Sequence, residues 1–241
     1  MELVKTEVLF QIVKGHTGLI TINHSEQRNA ASASFRRGLR EFFERFEGDN
    51  TLRVADLTPA VEKAFCGGIS LNELSAGGLN VPPRNFLPVI SDNTFISKPL
   101  IVAVNGIAYA YGWLLAQMCD LCISCGHATF SISEAKVGRG MLWTAPLTRM
   151  LPRRLVMELL LTGVPISAQR AYDFVYVNAL VPVGQLRTEA SRMASEIAEY
   201  VPLTVRAPRE LFYLSGEMGR SAGLPSPYHL LTGLPERGRR R

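Results

Sequence analysis

The chain has 241 residues, 47% hydrophobic and 20% charged, the balance of a globular protein with a core of ordinary size rather than of a disordered chain. Of its four cysteines, Cys119, Cys122 and Cys125 cluster and only Cys66 stands apart, a poor layout for stapling distant loops and one that points to a reducing compartment. The net charge is +5, from 26 Lys and Arg against 21 Asp and Glu, with part of the excess in the terminal PERGRRR. That tail reads as a solvated end, and no nucleic-acid partner is expected.

The opening MELVKTEVLFQIVKG has no basic leader, apolar block and small-residue cleavage site in succession. It does not read as a signal peptide, and a cytoplasmic protein is expected. VLFQIVKGHTGLITIN predicts two short strands around a glycine turn. SASFRRGLREFFERFEGD sets Phe35, Leu39, Phe42, Phe43 and Phe46 at helical spacing, with Arg and Glu on the other face and Gly48 as a stop. LRVADLTPA predicts a strand with Asp56 where a buried strand should be apolar. Residues 75–95 are rich in Gly and Pro and predict a mobile loop running into a helix.

Residues 99–125 are apolar enough to suggest a membrane span. Pro99, Asn105–Gly106, Gln117 and Asp120 interrupt the run, and each would be costly in lipid. The segment instead predicts a buried strand in PLIVAVNG, a turn, a buried helix in WLLAQMCD and a strand in LCISCG, with ATFSIS as the next strand. AEYVPLTVRAPRELFYL predicts a late helix started by Pro202 and disturbed by Pro208. Strands alternating with helices imply an α/β layered domain. No internal repeat is present.

Five segments in order, LITINHSEQRNA, KAFCGGISLNEL, KPLIVAVNGIAYAYGWLLAQMCD, ATFSISEAKVG and MELLLTGVPISAQRAYDFVYVNALVP, resemble the crotonase family, the enoyl-CoA hydratase/isomerase superfamily. The resemblance implies a spiral of ββα units followed by C-terminal helices, with residues 1–195 as the acyl-CoA-binding core. Residues 196–241 form a C-terminal helical segment and basic tail that departs from the family pattern. It implies an acyl-CoA thioester as substrate, a homotrimer or hexamer, no metal, and no cofactor beyond the CoA of the substrate. The shared chemistry is stabilisation of an enolate-like thioester oxyanion by two backbone N–H groups, preorganised donors aimed where charge develops.

Carried over position by position, the donors are the N–H groups of Ile69 and Tyr111. Gly67 and Gly68 suit a sharp backbone turn that approaches a ligand closely. Tyr111 stands at the mouth of a helix, where free N–H groups and a positive dipole end are available. The usual glycines of that turn are YAYG here, so the Tyr111 side chain must go somewhere, and the acyl pocket is one place. Arg28, Ala30, Gly67, Gly68, Ser70, Leu71, Asn72 and Leu114 are the substrate- and CoA-binding positions that the resemblance implies.

Hydratases of the family use two glutamates, one of which maps to Leu114 and the other to Glu134. Leucine neither exchanges a proton nor orients water. The resemblance therefore implies an enzyme with Glu134 as its single acid/base, with one-base isomerisation favoured over hydration. An apolar neighbour such as Leu114 should raise the Glu134 pKa by desolvation. A local role for Glu134, capping or pairing with Lys136 or Arg139, is the structural alternative. Two other readings remain open: a non-catalytic acyl-CoA-binding or scaffold protein of this fold, and an RNA-binding family member.

The C-x-x-C-x-x-C spacing lacks the fourth ligand or second pair that a cluster or zinc site needs, so these cysteines read as small buried hydrophobes. His127 reads as a turn histidine. Trp143 either lines the acyl pocket or only packs.

Overall fold

The computed structural model describes residues 7–13, 15–61, 64–70 and 83–216. β1 (Val8–Val13) and β2 (Thr17–Ile22) pair antiparallel, and Gly15 turns between them at φ +81°. α1 (Ala33–Gly48) starts where the Ser32 hydroxyl accepts the Phe35 N–H and runs until Gly48. Its predicted apolar stripe is buried: Phe35, Leu39 and Phe46 are fully enclosed, and Phe42 stacks on Phe46 at 5.7 Å. Truncating any one of these rings to alanine would cost about 3–5 kcal/mol. The end of α1 is closed by Lys98, whose buried ammonium donates to the carbonyls of Phe46 at 2.6 Å and Asp49 at 2.7 Å. Burial pulls the Lys98 pKa down.

From β3 (Val54–Pro59) onward the chain alternates between two sheets. β3, β5 (Leu100–Val104) and β7 (Leu121–Cys125) add parallel strands to a six-stranded sheet ordered β1-β2-β3-β5-β7-β10. β4 (Ala64–Cys66), β6 (Ile107–Tyr109) and β8 (Thr129–Ser131) build a smaller parallel set that β9 (Ile166–Ser167) closes antiparallel. Each circuit thus lays one strand in each layer, which is the expected spiral. α2 (Tyr111–Met118) follows β6 and is buried along its whole length. α3 (Leu147–Met150), α4 (Arg153–Thr162) and α5 (Ala168–Asp173) precede β10 (Ala179–Val181).

α6 (Leu186–Glu199) packs on the large sheet through Ala190, Ala194 and Ala198, small residues at helical spacing that let the backbones approach. α6 runs through residue 195, so the division expected there falls inside a helix. Tyr200 and Val201 separate α6 from α7 (Pro202–Ser215), which keeps Pro208 in its interior. α7 is tied down at Asp120: Arg209 Nε donates to both carboxylate oxygens at 2.8 and 2.9 Å, and the Tyr213 hydroxyl donates at 2.8 Å. The same carboxylate accepts the Leu100 N–H at the start of β5.

Three expectations change. The described part of 75–95, residues 83–95, forms turns and no helix, because Pro83 and Pro88 break helical hydrogen bonding and Asn93 supplies the missing partners. Its side chain accepts from Val89 N–H and donates to Leu87 and Arg84 carbonyls. β6, three residues long, stands in what reads as a turn. The Tyr111 side chain lines neither cavity described below: it is buried edge-on against Phe35 and donates its hydroxyl to the Pro88 carbonyl at 3.2 Å. All four cysteines are buried, and among the described residues no three His, Cys, Asp or Glu side chains gather as a metal would require. Among the described residues no helix is long and apolar enough to cross a membrane.

Asp56 sits between Leu19 and Ile101 in the middle of the large sheet, 2% exposed, with Oδ1 lacking any hydrogen-bond partner. Burial pushes its pKa up to about 7. The native state then holds a proton that the unfolded chain releases near its ordinary pKa of about 3.9, so Asp56 erodes stability as pH rises from about 4 to about 7. Urea midpoints of wild type and Asp56→Asn should diverge across that interval in favour of the amide, by a stability difference on the order of 4 kcal/mol at most. A difference that stays constant with pH would show that Asp56 has a partner in solution.

Candidate active site

Three parallel neighbours of the small sheet, β4, β6 and β8, end side by side, in register at Cys66 with Ala108 and Tyr109 with Ser131. Ile69, Tyr111 and Glu134 follow these three strand ends by two or three residues. Carboxyl ends of adjacent parallel strands are where α/β sheets place ligands, since the chain leaves each strand there in a loop or a helix start. The sequence positions given separate roles are thereby brought to one edge of one sheet.

Glycine decides how close these turns come. A β-carbon on Gly112 would lie 2.1 Å from the Cys66 carbonyl oxygen, so the start of α2 rests directly on the end of β4. Gly68, at φ +105°, faces Ala110 and Tyr109 across the same gap. Ala110, just before α2, holds φ +51° and ψ −116°, a left-handed conformation that favours glycine. Tyr111 is the first residue of the helix, so its N–H belongs to the group without an intrahelical acceptor.

The Arg28 segment is stitched to this edge. Gly67 N–H donates to the Arg28 carbonyl at 2.9 Å, and Ala31 N–H donates to the Gly68 carbonyl at 2.8 Å. Arg28 and Asn29 both take positive φ. The buried Asn29 amide fixes the turn by accepting from His24 N–H and donating to the Ala64 carbonyl, each at 2.8 Å. A cavity of about 440 Å3 opens here, lined by Arg28, Ala30, Gly67, Ile69 and Ser70 together with Glu26 and Gln27. Leu71 and Asn72 lie outside the described residues.

Glu134 begins a 3-10 turn, Glu134–Val137. Its Oε1 accepts the indole N–H of Trp143 at 2.7 Å, while Oε2 is buried without a partner. Desolvation raises the Glu134 pKa, and the indole hydrogen bond opposes that shift. The Trp143 carbonyl in turn accepts from Gln117 Nε2 at 2.9 Å, one turn of α2 beyond Leu114. Leu114 and Trp143 share a second cavity of about 480 Å3, walled by Val89, Ile90, Met118 and Pro146 and reaching Arg149 and Tyr213. Sequence reasoning left Trp143 undecided between lining and packing; it does line this cavity, and its bond to Glu134 was missed. The one sequence signal for this link was Gln117, a polar residue in an otherwise apolar helix. His127 lies in the turn after β7, its ring 3.5 Å from the Cys125 thiol.

The arrangement defines an α/β spiral whose glycine-lined strand ends meet two cavities at one sheet edge. A family model described as enoyl-CoA hydratase/isomerase matches residues 14–222, and the chain belongs to that family, with the crotonase fold. It is 36% identical over 214 residues to the probable mitochondrial enoyl-CoA hydratase of Dictyostelium discoideum, covering 88% of this chain and 77% of that protein. It is 32% identical over 233 residues to the (E)-benzylidenesuccinyl-CoA hydratase of Thauera aromatica, covering 92% and 88%. The crystal structure of an enoyl-CoA hydratase from Mycobacterium tuberculosis H37Rv superposes with a TM-score of 0.85 at 30% identity, covering 95% of this chain and 90% of that one.

Relieving the backbone at Ala110 should show in stability. Ala110→Gly is expected to raise the unfolding free energy by about 1 kcal/mol, whereas Gly112→Ala should destabilise by several times that or prevent folding. Denaturant melts of the two variants against wild type check both; a destabilised Ala110→Gly would contradict the strain assigned to that turn.

Proposed function

We propose that the chain is an enoyl-CoA isomerase that works with one base. Glu134 takes a proton from the α-carbon of a 3-enoyl thioester, the Ile69 and Tyr111 N–H groups hold the enolate oxygen, and Glu134 returns the proton at the γ-carbon to give the 2-enoyl isomer. The observation that carries this reading is the state of Glu134: one oxygen fixed by Trp143, the other buried and unpartnered, with Leu114 where the family's second glutamate would stand. A carboxylate whose pKa is raised by desolvation, yet whose charge is held by one donor, is suited to take a proton and return it. The CoA moiety would lie along the Arg28–Ser70 cavity and the acyl group in the Leu114–Trp143 cavity. No metal or further cofactor enters the scheme. A trimer or hexamer in the cytoplasm is consistent with exposed apolar residues such as Phe95, Leu161, Val175 and Phe212, which a monomer would leave in water.

A second reading, water addition or removal, is favoured by the names of the relatives, hydratases and dehydratases. It would require Glu134 to activate water and protonate carbon alone. An acyl-CoA-binding protein without turnover is the third.

Glu134→Gln keeps shape and removes the base, so turnover should fall on the order of 10²–10⁴-fold with thioester affinity retained. Leu114→Glu should raise 2-enoyl-CoA hydration relative to isomerisation. Assays of both substrate isomers, with affinity measured in parallel, separate the three readings; equal rates for Glu134→Gln and wild type would remove Glu134 from the mechanism.

Trp143→Phe keeps the bulk and removes the donor. The donated hydrogen bond favours the carboxylate, so its loss should move the acidic limb of the kcat/KM profile upward. An unmoved limb would mean that the Trp143 bond does not persist in the working enzyme.

A further inference from the structure

We infer that the acyl group this protein accepts ends in an anion, received by Arg149. The inference rests on reading the Leu114–Trp143 cavity as the acyl site. That cavity of about 480 Å3 is apolar near Leu114, Met118 and Trp143 and meets Arg149, Met150 and Tyr213 at its far side. The same three residues border a second cavity of about 460 Å3 beyond it. They stand between two spaces that one extended acyl group could enter in turn.

Charge matching singles out Arg149 at this divide. Asp92, on the near cavity, is taken by Arg84. Asp120, on the far one, is taken by Arg209 through both oxygens and by the Tyr213 hydroxyl. The carboxylates that line the two cavities are therefore already neutralised. Among the described residues the Arg149 backbone N–H donates to the Pro146 carbonyl at 3.0 Å, while its guanidinium, with five N–H donors, meets no acceptor and no carboxylate. Its place is nonetheless constrained: a β-carbon on Gly216 would lie 2.0 Å from one guanidinium nitrogen, so the head group rests against the end of α7. Arg149 is exposed and lines both cavities, so its guanidinium is open to a planar, bidentate anion arriving through either, for which a carboxylate is the simplest acyl terminus. A neutral chain of equal length would gain the apolar wall and leave that group unused.

Binding of saturated thioesters tests this without turnover. Adipoyl-CoA and hexanoyl-CoA have the same carbon number and differ in the terminal carboxylate; suberoyl-CoA and octanoyl-CoA extend the comparison. Calorimetry on the full chain should show at least a fivefold preference for the diacid thioester in one of the two pairs, weakening as salt is raised. Arg149→Met should erase that preference, and Arg149→Lys should keep part of it. Equal affinities for acid and neutral partners in wild type, or a preference that survives Arg149→Met, would overturn the assignment. Failure of all four thioesters to bind would overturn the acyl-site reading itself, and the assignment with it. A wild-type rate in Glu134→Gln would sink the one-base mechanism alone and leave the Arg149 preference measurable.

Discussion

The constraint that positions the site is the backbone seat of Gly112 on the Cys66 carbonyl, where a β-carbon would lie 2.1 Å from oxygen. Two circuits of the spiral touch there with no side chain between them. The contact fixes where α2 begins, and with it the backbone N–H of Tyr111, the inward face carrying Leu114, and the reach of Gln117 to the Trp143 carbonyl. Gly68 on the facing turn, at φ +105°, lies near Ala110, where a β-carbon would stand 3.2 Å from the Ala110 β-carbon. The strain at Ala110 is the consequence: the turn must reverse sharply to bring α2 onto β4, and here it does so without glycine.

Two buried carboxylates show how the same physics separates a site from a core. Burial raises the pKa of both Asp56 and Glu134. Asp56 lies mid-strand among apolar neighbours, with nothing donating to its free oxygen. Glu134 lies past a strand end and receives a charge-stabilising hydrogen bond from Trp143 on one side only. The first arrangement merely costs stability, increasingly as pH rises from about 4 to about 7, as the upshifted pKa requires. The second leaves one oxygen held by Trp143 and one buried without a partner, an asymmetry that acid–base chemistry can use. A raised pKa alone does not distinguish the two cases; position at the strand ends and a single partner do.

The paired strands, α1, α2 and α7 were legible because each is written in local periodicity or in a terminal proline or glycine, as in the Phe35–Phe46 stripe and Pro202. Ile69, Tyr111 and Glu134 were singled out through the family resemblance, and the strand ends of β4, β6 and β8 bring them to one sheet edge because the matched segments keep their order. What stayed hidden is set by contacts distant in sequence. β6 is too short to carry a period, and it exists because β4 and β8 flank it. The turns of residues 83–95 depend on Asn93 folding back onto Val89 and Leu87. The Tyr111 side chain was free to point towards the acyl pocket on sequence grounds; Phe35 and the Pro88 carbonyl take it elsewhere. No local pattern shows that Trp143 reaches back to Glu134, because the intervening loop is placed by Gln117 on another element.

α2 carries these links from one end to the other. Its first residue offers an N–H at the sheet edge, Leu114 and Gln117 face the cavity and the Trp143 loop, and Asp120 just past its end anchors α7. Tyr213 on α7 therefore borders the far side of the cavity on a tether to the helix that starts at the oxyanion turn. The Tyr111 hydroxyl does the same for the opposite wall, since Pro88 leads directly into Val89 and Ile90. Both sides of the Leu114–Trp143 cavity are thus referred to one buried helix rather than to each other. A displacement of either side would act on α2, and through Gly112 on its seat against the end of β4.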